Sequence, residues 1–170
     1  MGQMGVDVLK NNLTNPARTY LWEFEIPAPK GTGSNDVWFI RAVTAIVPGK
    51  SFDDIDINYK GTGGFRVPGR ERYSHDFPVT ILEGEDKRGF VAINSWQNQI
   101  RSIDGTGEPD SNLKTDGILI LLDNKESSWN RIKLTGIYPK SVGDVELSYD
   151  NSTNIKFNVV FSYDRWEPID

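Results

Sequence analysis

The chain has 170 residues, with no cysteine, one histidine, and 24 acidic against 19 basic side chains, for a net charge of −5. The absence of cysteine excludes a disulfide framework and a thiolate metal site, and His75 alone cannot build a multi-histidine centre. The acidic balance opposes tight, sequence-independent binding to nucleic acid, no run approaches the roughly 20 apolar residues of a membrane span, and the length suits a single domain over 1–170 with a core of its own.

Residues 1–17 are polar and weakly patterned, and they lack the basic and apolar blocks of a signal peptide. The chain is therefore expected to act where it is made or after lysis. Val6, Val8, Leu9 and Leu13 make this segment a short docking arm or a frayed terminus. Arg18–Ile26 reads as a strand, with Tyr20, Trp22, Phe24 and Ile26 on one face and Leu21, Glu23 and Glu25 on the other. Pro27, Pro29 and the polar run Gly31–Asn35 end it. Asp36–Val47 is a second strand, apolar on both faces and so covered on both, by this chain or by another.

Pro48 opens an excursion that lasts to Arg70. Phe52–Lys60 alternates, with Ile55, Ile57 and Tyr59 against Asp54, Asp56 and Asn58, and Gly61, Gly63 and Gly64 mark a tip. Tyr73–Leu82 is the next strand, with Phe77, Val79 and Ile81 on one face. Asp86–Ile100 is the helix candidate, because Phe90, Ile93, Trp96, Gln97 and Ile100 fall at steps of three and four. Glu83, Glu85 and Asp86 stand at its start, where the helix dipole favours negative charge. Ser102–Lys114 is a loop. Thr115–Leu122 and Trp129–Tyr138 are strands, followed by a corner from Pro139 to Gly143 and a short strand, Val145–Tyr149. After the polar turn Asp150–Asn154, Ile155, Phe157, Val159, Phe161 and Tyr163 line one face of a long closing strand that ends near Trp166. Strands in succession with one helix between them predict a mainly β fold, an antiparallel barrel or sandwich of about seven or eight strands.

No catalytic constellation emerges. Gly61–Gly64 lacks the Lys-Ser/Thr of a phosphate loop and opens no helix. The Asp104–Asp110 stretch misplaces the glycine of a calcium loop and lacks its closing glutamate. His75 and Asp76 have no serine or cysteine in a nucleophile motif beside them, so they read as surface residues. The carboxylate pairs Glu23/Glu25, Asp54/Asp56 and Asp144/Glu146 each lie opposite an apolar face and read as solvated acidic faces. Trp22 and Trp96 fit the core pattern, which leaves Trp38, Trp129 and Trp166 for an interface. Neither a metal nor a cofactor is implied, and the expectation is a protein that is not an enzyme.

Gly143-Asp-Val-Glu-Leu-Ser-Tyr-Asp-Asn and Phe157-Asn-Val-Val-Phe-Ser-Tyr-Asp-Arg-Trp-Glu resemble the tail tube protein of contractile-tailed bacteriophages. Leu134-Thr-Gly-Ile-Tyr-Pro-Lys-Ser-Val-Gly is similar to that family's strand and proline corner, and Ala17-Arg-Thr-Tyr-Leu-Trp-Glu-Phe-Glu-Ile to its first strand. The segment Ile57–Pro78 matches in order and spacing, and the resemblance spans about residues 15–167. It implies a hexameric ring whose subunits lend strands to one continuous barrel around a lumen. Stacked rings would form a tube inside a contractile sheath, as in the related type VI secretion and contractile injection systems. Implied partners are further copies of the chain, the sheath, the baseplate and tail terminator proteins, and tape measure protein and DNA in the lumen. The implied location is the virion tail, assembled in the host cytoplasm without membrane anchoring.

Three bottom-up points accord with this. A long closing strand leaves edges that a closed inter-subunit barrel would fill. Heterologous contacts generate rings and filaments, and the excursion 48–70 is suited to reaching a neighbouring ring through Pro48, Gly49, Lys50, Ser51, Phe52, Gly61, Gly63, Gly64, Phe65 and Arg66. An acidic wall repels phosphate and avoids adhesion, with Glu23, Glu25, Asp54, Asp56, Glu146 and Asp164 as the candidate lumen residues. Trp166 is the candidate sheath or subunit contact. A tube-initiating baseplate ring or a terminator ring of the same tail is the nearest alternative, the tube of a contractile injection system delivering effector protein is another, and a monomeric ligand-binding barrel is a more distant one.

Overall fold

The computed structural model of the chain describes residues 6, 8, 16–27, 41–61, 63–102, 105–107, 109, 113–150 and 153–169. With bounds given among these residues are nine strands and a helix: β1 (Trp22–Glu25), β2 (Ala42–Ala45), β3 (Lys50–Ile57), β4 (Phe65–Tyr73), β5 (Asp76–Leu82), α1 (Arg88–Ile100), β6 (Thr115–Leu122), β7 (Ser128–Val142), β8 (Lys156–Ser162) and β9 (Arg165–Ile169). All pairings are antiparallel. Seven strands join in the order β1-β6-β7-β8-β5-β2 with β9 also on β7, while β3 and β4 pair only with each other. The fold is the mainly β, antiparallel one that the alternation predicts.

β7 ties the two halves together because it serves both. Its first part pairs with β6 on one side and β9 on the other, and Tyr138–Val142 pair with β8. The change of partner falls at Gly136, whose φ of 68° suits glycine and few other residues. Two carboxylates stitch this bend. Asp116 accepts the Gly136 N–H at 3.1 Å, and the Asp164 side chain packs where a Cβ on residue 136 would stand. Asp164 also donates its own N–H to the Thr135 carbonyl at 3.0 Å, and its carboxylate accepts from Lys114 at 3.0 Å.

That bend corrects two expectations. The strand beginning at Trp129 does not stop at the proline corner but runs through it to Val142, with a register shift between Pro139 and Ser141. The long closing strand breaks at Tyr163–Asp164, opposite Gly136, so that β8 and β9 follow β7 around the bend in separate sheets. β8 has both edges filled from its own chain, by β5 and β7, so the partner sought from a neighbouring subunit is here intramolecular. The expected strand Val145–Tyr149 does not form, since nothing in the described chain pairs with it. Tyr73–Leu82 is interrupted at His75, whose φ is 58°, and divides between β4 and β5. The first strand is short, and the part of the second strand before Arg41, with Trp38, lies outside the described residues, as does most of the N-terminal arm.

The core lies mostly where the alternation puts it, although Tyr20 and Ile155, at the ends of their expected faces, are exposed. Phe24, Ile26, Phe77, Val79, Ile81, Leu119, Ile132, Leu134, Phe157, Val159, Phe161 and Tyr163 are buried and pack on Ile93 and Trp96 of α1. Fully burying one such side chain is worth roughly 1.5–3 kcal/mol. Rings interlock as well: Phe24 and Phe77 stand 5.1 Å apart and Trp96 and Phe161 6.1 Å, while the Trp96 indole N–H donates to the Leu113 carbonyl at 2.7 Å. The buried stripe of α1 is Gly89, Ala92, Ile93 and Trp96. Phe90, counted in that stripe from its spacing, instead faces out with 55% exposure. The helix begins at Arg88 after a left-handed Lys87 with no side-chain cap of its own. Its first N–H groups, left without intrahelical partners, turn to Glu83, which accepts from Gly89 and Phe90 at 3.3 and 2.6 Å. Arg41 holds Glu83 at 2.8 Å and Asp86 at 2.5 Å. That hydrogen bond keeps the Asp86 carboxyl below its usual range and raises Arg41 further.

Candidate assembly surfaces

β3 and β4 form an antiparallel arm that stands apart from the larger sheet, from Lys50↔Tyr73 at its root to Ile57↔Phe65 near its tip. Along the two strands Phe52, Ile55, Ile57 and Phe65 are exposed, with Tyr59 beyond them at the turn. The polar positions pair across the arm: Arg66 with Asp56 at 2.8 Å and Asp54 at 3.5 Å, Arg72 with Asp53 at 2.6 Å, and Lys50 with Glu71 at 3.0 Å. Exposed pairs of this kind each contribute about 0–1 kcal/mol. An isolated two-stranded hairpin is marginal in water, so an arm with this much apolar surface is suited to being covered.

Its root is anchored. Pro48 is buried, Trp166 donates its indole N–H to the Gly49 carbonyl at 3.3 Å, and the Lys50 ammonium lies 5.7 Å from the centre of the Trp166 ring. Tyr73 packs against the main core. The Lys50 hydrogen bond keeps the Glu71 carboxyl below its ordinary value, and desolvation together with Glu71 pushes the Tyr73 phenol up. Trp166, the candidate sheath or subunit contact, is partly buried and joins β9 to the base of the arm.

The ten excursion residues thus separate into two groups. Pro48, Gly49, Lys50, Ser51 and Phe52 lie at the root, and Gly61, Gly63, Gly64, Phe65 and Arg66 at the tip. Roughly 3.3 Å of rise per residue sets them well apart along the arm. The candidate acidic residues are scattered more widely. Glu23 and Glu25 are half-buried on β1, Asp54 and Asp56 are engaged by Arg66, Glu146 lies in the exposed loop after β7, and Asp164 is held by Lys114 at the bend. The structure brings together only Asp54 with Asp56 and Glu23 with Glu25. Sequence alone missed the Arg41–Glu83–Asp86 network and the Asp116–Lys133 pair at 3.0 Å, whose partners are distant along the chain and carry no local pattern. Among the described residues no cluster of His, Asp or Glu could hold a metal ion, and no helix is long and apolar enough to cross a membrane.

Residues 12–168 match the family model described as phage tail tube protein. The chain belongs to that family. No curated protein matches the sequence of this tail tube protein. Solved structures share its fold at low identity. A chain of the extended sheath–tube complex of PVC, an extracellular contractile injection system, superposes with a TM-score of 0.68 and 12% identity over 99% of both chains. A chain of the PVC sheath/tube terminator gives 0.71 and 14%, over 93% of this chain and 99% of that one. The tail tube of SPP1 gives 0.53 and 11%, over 90% of this chain and 78% of that one.

Proposed function

We propose that this tail tube protein assembles into hexameric rings that stack as a hollow tube inside a contractile sheath and conduct the genome into the host cell. The match to the tail tube family over residues 12–168 carries this reading. The fold shared with a chain of a contractile sheath–tube complex favours a contractile over a rigid tail. In this reading the chain is one domain whose arm, 48–70, spans to the next ring. Sheath, baseplate and terminator proteins meet the outside and the ends, and tape measure protein and then DNA occupy the lumen. The acidic balance suits a wall to which phosphate does not adhere. The role is structural and located in the tail of the particle.

A second reading, a terminator ring of the same tail, is favoured by the likeness to the PVC sheath/tube terminator. Negative-stain microscopy of the purified chain separates the two. Long tubes are expected. Single rings that never stack would establish the terminator reading, and a monomer at high concentration would overturn both.

A further inference from the structure

Two exposed features stand at the two ends of β7. Beyond Val142, every residue from Gly143 to Asp150 is exposed, and Leu147 and Tyr149 project almost fully, at 77% and 109%. Asp144, Glu146 and Asp150 are interleaved with these apolar side chains, and no basic residue stands in the segment. None of the three carboxylates has an ion-pair partner among the described residues. At the other end of β7, the turn from β6 and the approach to β1 enclose an open cavity of about 440 Å³ lined by Arg18, Leu21, Leu122, Lys125 and Trp129. Trp129 is 53% exposed there. Arg18 and Lys125 are exposed and have no ion pair among the described residues, although Arg18 donates to the Tyr20 hydroxyl at 2.6 Å. Asp123, the one carboxylate of the lining, accepts from the N–H groups of Lys125 and Ser127 at 2.7 and 2.9 Å and lies within reach of the Lys125 charge.

One end therefore presents an apolar knob with negative charge, and the other an apolar socket edged with positive charge. A fifteen-residue strand separates them, so at roughly 3.3 Å per residue the knob lies some tens of ångströms from the socket of its own chain. We propose that Leu147 and Tyr149 of one copy seat in the socket of a second copy, with Glu146 and Asp150 facing Arg18 and Lys125. This rests on the tube reading and supplies it with a head-to-tail contact. Different surfaces meet, so the contact is heterologous and repeats from copy to copy until it closes as a ring. Complementary charge steers the encounter and sets its register, and the two large side chains supply the apolar contact.

The absence of cysteine makes the test clean. Ser148→Cys in the knob and Asn124→Cys at the socket are both exposed positions. Treated with a short thiol–thiol crosslinker, the double variant is expected to give a ladder of covalent oligomers, and each single variant none. Glu146→Lys should lower the ladder yield several-fold, and adding Lys125→Glu should restore it. Tubes on the grid without a ladder overturn the contact and leave the tube reading standing. Neither tubes nor ladder overturns both. A ladder without tubes supports the contact and counts against the tube.

Discussion

β8 and β3 follow the same rule in sequence and meet opposite fates. In β8, Phe157, Val159 and Phe161 alternate with Lys156, Asn158, Val160 and Ser162, a mostly polar set, and are buried by β5, β7 and α1. In β3, Ile55 and Ile57 alternate with Asp54 and Asp56, and Phe52 stands before a register shift at Phe52/Asp54, yet all three remain exposed, with β4 the one strand paired to them among the described residues. Alternation reports that a face is to be covered. It does not report whether the cover is the same chain or the next one. In a protein that assembles, the arm is the part of the pattern that the single chain leaves unfinished.

The sharpest break of this comparison is one deletion on each side. Phe161→Ala opens a cavity against Trp96 and Phe24 and is expected to cost about 3–5 kcal/mol, read as a lower urea midpoint of the monomer. Ile55→Ser, at a half-exposed position, should change that midpoint by no more than about 0.5 kcal/mol while shortening the tubes. If Ile55→Ser leaves tube length unchanged, the arm is not a stacking element.

Next in size is the bend that lets β7 serve two sheets. Gly136→Ala places a methyl group against Asp164 and forces a left-handed conformation on a residue with a Cβ. About 1–3 kcal/mol of lost stability is expected, measured by thermal melting, and Leu134 and Ile137 on either side should lose amide protection first.

A smaller effect follows from acid. Burial alone would push the Asp116 carboxyl up, but hydrogen bonds from Lys133 and from the Gly136 N–H, with the Lys133 charge, outweigh it and hold the group below the usual range. A depressed carboxyl contributes stability that is fully present above its unfolded value of about 3.9 and is lost as pH falls through the lower folded value. The melting temperature should therefore drop below about pH 4. Asp116→Asn should start lower at neutral pH and fall less steeply in acid.

Much of the fold was legible because the local period of two survives into the structure. Phe77, Val79 and Ile81 are buried as their spacing predicts, and Thr115–Leu122 forms a strand over that whole range. What sequence does not carry is long-range position. Nothing around Trp129–Tyr138 announces that the strand runs on through Pro139, because the reason lies in β8 and β9 across the bend. Phe90 fits a helical stripe by spacing, and only the tilt of α1 on the sheet decides that Gly89 and Ala92 face inward instead. Val145–Tyr149 has the pattern of a strand but no partner among the described residues. The glycines of 61–64 mark the tip of the arm in the sequence, but nothing there announces that Trp166 bonds at its root or that Trp129 bonds to Leu122. The candidate acidic residues scattered because like charge in a sequence does not imply a shared face.

The smallest expected effect tests what the charges of the arm are for. Arg66 bridges Asp54 and Asp56 from the opposite strand with all three side chains well exposed. Solvent screening limits such a pair to about 0–1 kcal/mol, so Arg66→Ala should barely move the melting temperature. It leaves two carboxylates unpaired on one face of a two-stranded arm, where like charges directly opposed or adjacent disfavour a fixed register. If the pairs exist to hold the register of the arm, the variant will show faster amide exchange in β3 and β4 with β8 unchanged. Raising the salt concentration should reproduce that loss in the parent protein, because salt screens these exposed pairs. Unaltered exchange in the arm would mean that β3 and β4 keep their register by backbone pairing and the root contacts of Trp166 alone.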